Sequence, residues 1–249
     1  MSTQNIFDND TFFQQYENLR KKEDNYNDLL EQPTMKKLLP DLQGKSVLDL
    51  GCGFGKNCLE FIQNGASRVV GIDISEKMLG IAKAEYTNEK IEYRTMDIAD
   101  VSQINEKFDL IYSSLSFHYV KDFPKLAKAL YALLNENGRL LFSQEHPLVT
   151  ATIDGKQHFN KDEQGNCISF TFSNYGLAGQ RNTFWFVNDV IKYHRPVGEI
   201  ITALANANFV IETVVEPLPT KSILEKFPTL VKEYIKPTFL IIKTKKANF

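Results

Sequence analysis

Along this chain, apolar residues collect in short runs separated by stretches where they recur at three- and four-residue spacing. Val47-Leu-Asp-Leu50, Arg68 to Asp73, Ile91 to Ile98, Phe108 to Leu115 and Arg139 to Pro147 read as buried strands. Lys56 to Gln63 carries Leu59 and Ile62 with Phe61 beside them, and Glu76 to Ala84 carries Met78, Leu79 and Ala82, so both predict helices. Ser75 is the natural N-cap of the second, because a serine hydroxyl accepts from an otherwise unpaired first-turn amide. A third helix is expected from about Asp122 to Leu134, stopped by Asn135 to Gly138. Strands alternating with helices predict an open α/β sheet whose ligands sit beyond the carboxyl ends of the strands.

The flanking regions break this rhythm. Residues 1–43 read as a helical preface, with helices at Thr11 to Arg20 and Asp28 to Leu39 ending at Pro40, and residues 44–249 as the main domain. Residues 148–196 are too long for a plain connection. Within them Cys167 to Phe172 and Asn182 to Val187 alternate like two antiparallel strands, which predicts a small hairpin lid. Phe170, Phe172, Tyr175, Phe184, Trp185 and Phe186 would give that lid an apolar wall. A helix over Val197 to Ala207 and two last strands, Phe209 to Glu216 and Thr238 to Thr244, follow, with Pro217 to Pro237 between them.

Composition narrows the class. The 249 residues suit one large α/β domain, and 43% apolar with 24% charged residues is ordinary for a globular protein. Because 29 basic residues face 31 acidic ones, there is no broad field for a polyanion. Acids interrupt the lysines from Lys221 to Lys236, with Lys243, Lys245 and Lys246 following, and the group reads as a solvated face. No apolar run approaches the roughly 20 residues needed to cross a bilayer, and the opening Met-Ser-Thr-Gln-Asn has no basic and apolar leader. The cytoplasm is therefore the expected compartment. Cys52, Cys58 and Cys167 lack paired spacing, so reduced thiols are expected and no metal site is indicated.

The densest chemistry is Val47-Leu-Asp-Leu-Gly-Cys-Gly-Phe-Gly55. Glycines at 51, 53 and 55 let a ligand touch bare backbone, and Cys52 between them is small enough to permit it. A dinucleotide fingerprint, Gly-x-Gly-x-x-Gly, would need glycine where Lys56 stands, and Asp49 would repel phosphates. A cationic ligand without phosphate suits Asp49 better. The stretch resembles motif I of the class I S-adenosylmethionine-dependent methyltransferases. Ser113 to Val120, Phe142 to Pro147 and Tyr193-His-Arg195 further resemble the bacterial branch that includes the ubiquinone and menaquinone methylating enzymes.

That resemblance implies a Rossmann-like fold: a seven-stranded, mostly parallel sheet with an antiparallel last strand, helices on both faces, the helical cap and the hairpin lid. It implies S-adenosylmethionine as cofactor and S-adenosylhomocysteine as product. Asp73, at a strand end, would take the ribose hydroxyls and Asp97 the adenine amino group, with Ile74 and Ile98 as apolar walls. Asp49, Gly51, Cys52, Gly53, Met78 and Ser113 complete the expected cofactor set, and Tyr16, Arg20 and Asn25 of the preface would close the methionine side. Where the acceptor starts protonated, candidates to take its proton are His118, His146 with Glu145, and His194 with Tyr193. His158 lies among polar residues and reads as solvated.

The function expected is methyl transfer to an O, N or C atom of a small molecule by a monomer or homodimer. Methylation of tRNA, a catalytically silent cofactor-binding module and a nicotinamide oxidoreductase are the rival readings.

Overall fold

The computed structural model describes residues 4–153 and 158–247. The first three residues of the preface and four residues of the expected lid lie outside the described residues. Two N-terminal helices, α1 (Asp10–Arg20) and α2 (Gln32–Leu38), precede β1 (Ser46–Leu50). A π-type turn at Asn27–Glu31 leads into α2, where the sequence pattern predicts plain helix from Asp28. The chain continues through α3 (Lys56–Gln63), β2 (Arg68–Asp73), α4 (Glu76–Glu85), β3 (Ile91–Thr95), β4 (Phe108–Ser113), α5 (Phe123–Ala132) and β5 (Leu134–Glu145). After α6 (Pro147–Thr150) come β6 (His158–Lys161), β7 (Cys167–Thr171), β8 (Gly179–Trp185) and β9 (Val187–His194). Helix α7 (Val197–Asn206), β10 (Phe209–Val215), α8 (Lys221–Lys226) and β11 (Phe239–Lys246) complete it.

Seven strands form one sheet in the order β3-β2-β1-β4-β5-β11-β10. Strands β1 to β5 run parallel, while β11 is antiparallel to both β5 and β10. Helices α2, α3 and α4 cover one face through Met35, Phe61 and Leu79, and α5 and α7 cover the other through Phe123, Leu130 and Leu204. Burial on both faces explains why β1, β2 and β4 are nearly continuous apolar runs rather than alternating ones.

Local chemistry sets the boundaries. Ser75 caps α4 by accepting from the Met78 amide at 3.1 Å, and Asp122 caps α5 by accepting from Lys125 at 2.9 Å. Strand β3 stops at Thr95, short of the expected Ile98, because the Asp97 carboxylate accepts from the Ala99 amide and starts a 3-10 turn over Ile98–Gln103. The expected stop at Asn135 to Gly138 is a bulge inside β5: Leu134 still pairs with Phe108, and the register then jumps to Leu110 with Arg139. Asn137 turns through a left-handed backbone there.

The lid differs in its pairing. The sequence pattern pairs Cys167 to Phe172 with Asn182 to Val187, but β7 pairs with β6, and β8 pairs with β9, giving two separate hairpins. The turn between β8 and β9 is a single left-handed residue, Phe186, between Trp185 and Val187. A tight local return of this kind costs less loop-closure entropy than the longer pairing.

Candidate active site

The strand order reverses between β1 and β4, so their connections leave on opposite faces and open a crevice at the carboxyl ends. A cavity of about 1240 Å³ occupies it. Its floor is the β1–α3 loop. Gly51, Gly53 and Gly55 all have positive φ, but for different reasons. A Cβ on Gly51 would lie 2.1 Å from Ser116 Oγ and one on Gly55 2.4 Å from the Tyr93 hydroxyl, whereas one on Gly53 would meet nothing within 4 Å. Protein fills the space beside the outer two glycines. At Gly53 the backbone lies bare to the cavity.

Asp73 sits at the end of β2 and lines the cavity. Its Oδ2 accepts from the Gly53 amide and its Oδ1 from the Ser75 amide, both at 2.9 Å. Burial raises this carboxyl's pKa, against the lowering effect of the Ser75 and Gly53 amides. Each oxygen keeps a second lone pair for a ligand hydroxyl. Ile74, Met78, Asp97 and Ile98 line the same end, as do Cys52 and Gly51.

The roof is built from distant parts of the chain. Phe12 of α1 packs its ring 5.2 Å from Trp185 and 5.5 Å from Phe186, and Tyr16 lies 6.0 Å from Trp185 and 6.1 Å from Phe54 of the glycine loop. Gln4 pins the hairpin by donating to the Asp189 carbonyl at 2.7 Å and accepting from the Ile191 amide at 2.8 Å. Asn5 donates to the Ile74 carbonyl, and Asp8 accepts from the Lys77 amide, so the same segment also grips the floor. Tyr16, Arg20 and Asn25 line the cavity. Arg20 donates to Asp28 at 3.0 Å and to Asn25 at 3.5 Å. Of the six lid aromatics, Phe184 and Trp185 line the cavity. Phe186 faces Phe12, while Phe170, Phe172 and Tyr175 stack in a separate aromatic row with Phe159.

At the opposite end, Glu145 at the tip of β5 and His118 after β4 both line the cavity. Glu145 Oε1 accepts from Lys192 Nζ at 2.6 Å. Lys192 is 7% exposed, with its ammonium 4.9 Å from the centre of the Trp185 ring. Burial alone would raise the Glu145 carboxyl; Lys192, His118 and Lys236 outweigh it and hold the group below the usual carboxylate range. The Glu145 amide donates to His118 Nδ1 at 3.4 Å. Burial pushes the His118 imidazole down to about 4, so it is neutral at physiological pH.

Several expected site residues lie outside this cavity. Asp49 is beneath the loop, 1% exposed, where it accepts from the Cys58 thiol at 3.4 Å and where burial raises it to about 7. Ser113 is buried and donates to the Leu50 carbonyl at 2.9 Å, tying β4 to β1. His146 caps α6 by accepting from the Leu148 amide and donates its other ring N–H to Glu216 at 2.8 Å. His194 is locked between Thr150 and the Tyr175 carbonyl, and Tyr193 is absent from the cavity lining. For Asp49, Ser113, His146 and His194 the strand delivers the residue, but neighbouring polar groups claim the side chain first.

Sequence reasoning missed Lys192 and Glu31. Val190, Lys192 and His194 alternate inward along β9, a period-2 signal that ends with the inward face of the hairpin. Glu31 is fully buried and accepts from Ser143 Oγ at 2.6 Å and Ser114 Oγ at 2.9 Å, anchoring the cap to the ends of β4 and β5. No periodic signal marks it, because a π-type turn aims it inward.

A doubly wound sheet with its crevice at this switch point defines a Rossmann-like cofactor-binding protein. Residues 48–142 match the family described as a methyltransferase domain. A protein from Listeria monocytogenes described as a putative S-adenosylmethionine dependent methyltransferase is 36% identical, with a TM-score of 0.80 over 88% of this chain and 97% of that one. An S-adenosylmethionine dependent methyltransferase from Mesorhizobium loti is 36% identical, with a TM-score of 0.81 over 87% and 97%. A ubiquinone biosynthesis O-methyltransferase from Coxiella burnetii is 36% identical over 104 residues, 41% of this chain and 44% of that one. The chain belongs to the S-adenosylmethionine-dependent methyltransferases. The cofactor is S-adenosylmethionine, and the bare backbone at Gly53 beside the Asp73 carboxylate fits its nucleoside half.

Proposed function

We propose that this chain methylates an O, N or C atom of a small molecule held under the roof, in the cytoplasm. The observation that carries this reading is the continuity of one roofed cavity from Asp73 and Asp97 to Glu145 and His118. Asp73 takes the ribose hydroxyls, Asp97, Ile74 and Ile98 the adenine, and Tyr16 and Arg20 the amino-acid end. When bound, S-adenosylmethionine supplies an activated methyl group and leaves as S-adenosylhomocysteine. The residues at the acceptor end hold the nucleophile in line and exclude water, which is worth up to roughly 7 to 11 kcal/mol in well-oriented systems. Glu145 and His118 are the catalytic candidates, since both face the space where an acceptor would sit. His146 serves the strand exit instead.

No helix among the described residues is long and apolar enough to cross a membrane. An aromatic-roofed cavity and a net charge of −2 favour a small acceptor over a nucleic acid. Calorimetric titration with S-adenosylhomocysteine tests the cofactor site: Asp73→Ala should weaken binding by ten- to a hundredfold, because the diol and the Gly53 amide lose their shared acceptor. Undiminished affinity would refute the ribose role. Release of S-adenosylhomocysteine on incubation with small hydroxyl and amino compounds separates an enzyme from a silent binding module.

A further inference from the structure

Resting on the methyltransferase reading, we propose that Lys192 is a positioning and specificity-determining residue: with Glu145 it forms a charge-balanced acceptor subsite that takes an uncharged hydroxyl or N–H donor. Glu145 Oε1 is engaged by Lys192, while Oε2 is buried and has no hydrogen-bond partner. A buried charged acceptor without a donor is costly, so the subsite is completed by a donor that reaches Oε2 as the ligand settles against Glu145. A carbon nucleophile has no such donor to give. A protic acceptor does.

His118 sharpens the geometry. Its Nδ1 accepts from the Glu145 amide, so the neutral ring carries its proton on Nε2. Nε2 makes no hydrogen bond to the protein among the described residues, and the side chain lines the cavity. In this tautomer His118 donates to a lone pair of the acceptor. Glu145 Oε2 is the atom that receives the acceptor's proton as that acceptor gains the methyl group and the neutral thioether leaves.

The charge count then selects the substrate. Within the cavity lining at this end, one carboxylate, one ammonium and one neutral imidazole sum to zero, while buried Lys236, which also acts on Glu145, lies outside the lining with Glu233 as a further counter-charge, and Lys192 is itself fixed over Trp185. An anionic acceptor group would meet Glu145 and a cationic one Lys192. Removing either partner leaves the other buried without compensation, which inverts the preference.

Trp185 is the only tryptophan in the chain, so its fluorescence reports occupancy of this subsite without turnover. The test titrates four probes that share one ring, benzyl alcohol, benzyl methyl ether, benzoate and benzylammonium, into protein saturated with S-adenosylhomocysteine. The natural protein should bind benzyl alcohol at least tenfold more tightly than the other three. Glu145→Gln should come to prefer benzoate, and Lys192→Met should come to prefer benzylammonium, a reversal that a merely structural lysine would not produce. The same ranking in all three proteins would overturn the proposal, as would a natural protein that favours the ether or a charged probe, or responds to none. Near-ultraviolet circular dichroism checks each variant's fold; should either fail to fold, the ranking of the natural protein decides alone. S-adenosylhomocysteine binding is read in parallel. If it is absent while the reversal persists in apo protein, the methyltransferase reading fails and the subsite stands.

Discussion

Gly53 and Trp185 face one cavity from opposite sides, yet they are held there by different means. The floor under Gly53 is fixed by backbone hydrogen bonds to strand ends: the Gly51 and Cys52 amides both donate to the Ile72 carbonyl at 2.9 Å, and the Gly53 amide donates to Asp73. The roof around Trp185 is fixed by ring packing between α1 and the β8–β9 hairpin, and by Gln4 bridging to Asp189 and Ile191. Main-chain bonding at the strand ends is made by any residue but proline and so holds the loop apart from its left-handed glycines, whereas aromatic contacts between separate segments depend on each ring. The floor's geometry is therefore set by the main chain and the roof's by its side chains.

Gly53→Val attacks the floor most severely. It forces a β-branched residue into a left-handed backbone and fills the space a ligand would use, so S-adenosylhomocysteine affinity should fall more than a hundredfold by calorimetry. A loss under tenfold would mean that the backbone there is not a contact surface.

The junction of floor and roof should respond to pH through His118. Its folded pKa, about 4, lies below the unfolded 6.5, so the folded state disfavours the charged ring. The stability this contributes is fully present above pH 6.5 and is lost as pH falls from there through 4, by about 3 kcal/mol in all. Buried acids such as Asp49 change in the opposite sense, so the measurement is a difference: denaturant unfolding of the natural protein against His118→Asn from pH 7 to 4. The gap between the two proteins should narrow toward pH 4. A constant gap would place His118 in contact with water.

Trp185→Ala loosens the roof and should cost about 2 kcal/mol of stability from lost ring contacts, while changing S-adenosylhomocysteine affinity less than threefold. A larger loss of cofactor affinity would merge the two regions. Phe184→Ser is the smallest change. Its side chain is 73% exposed at the cavity mouth, so thermal unfolding should shift by the equivalent of less than about 0.5 kcal/mol.

The floor was legible because its signals are short-range. Val47 to Gly55 and Arg68 to Asp73 each hold a complete strand-and-turn pattern, and the alternation of strands with helices carries the sheet order. Side-chain destinations were less legible. Asp49, Ser113 and His146 stand at strand ends as expected, but Cys58, Leu50 and Glu216 capture them, and only the packed fold reveals which polar neighbour arrives first. The roof was hardest. Cys167 to Phe172 has an equally good alternation with either neighbour, and the choice of β6 as its partner depends on loop closure rather than on the strand itself. Lys192 escaped notice because a lone lysine in an alternating strand looks like a solvated residue until its carboxylate partner, 47 positions away, is brought beside it.

Strand β10 reaches the sheet only by way of β11, which follows it in the chain and slots between it and β5. On a ribosome, β10 is thus exposed to solvent with both ladder edges idle until its later partner emerges. Its companion helix α7 can already shield one side against α5.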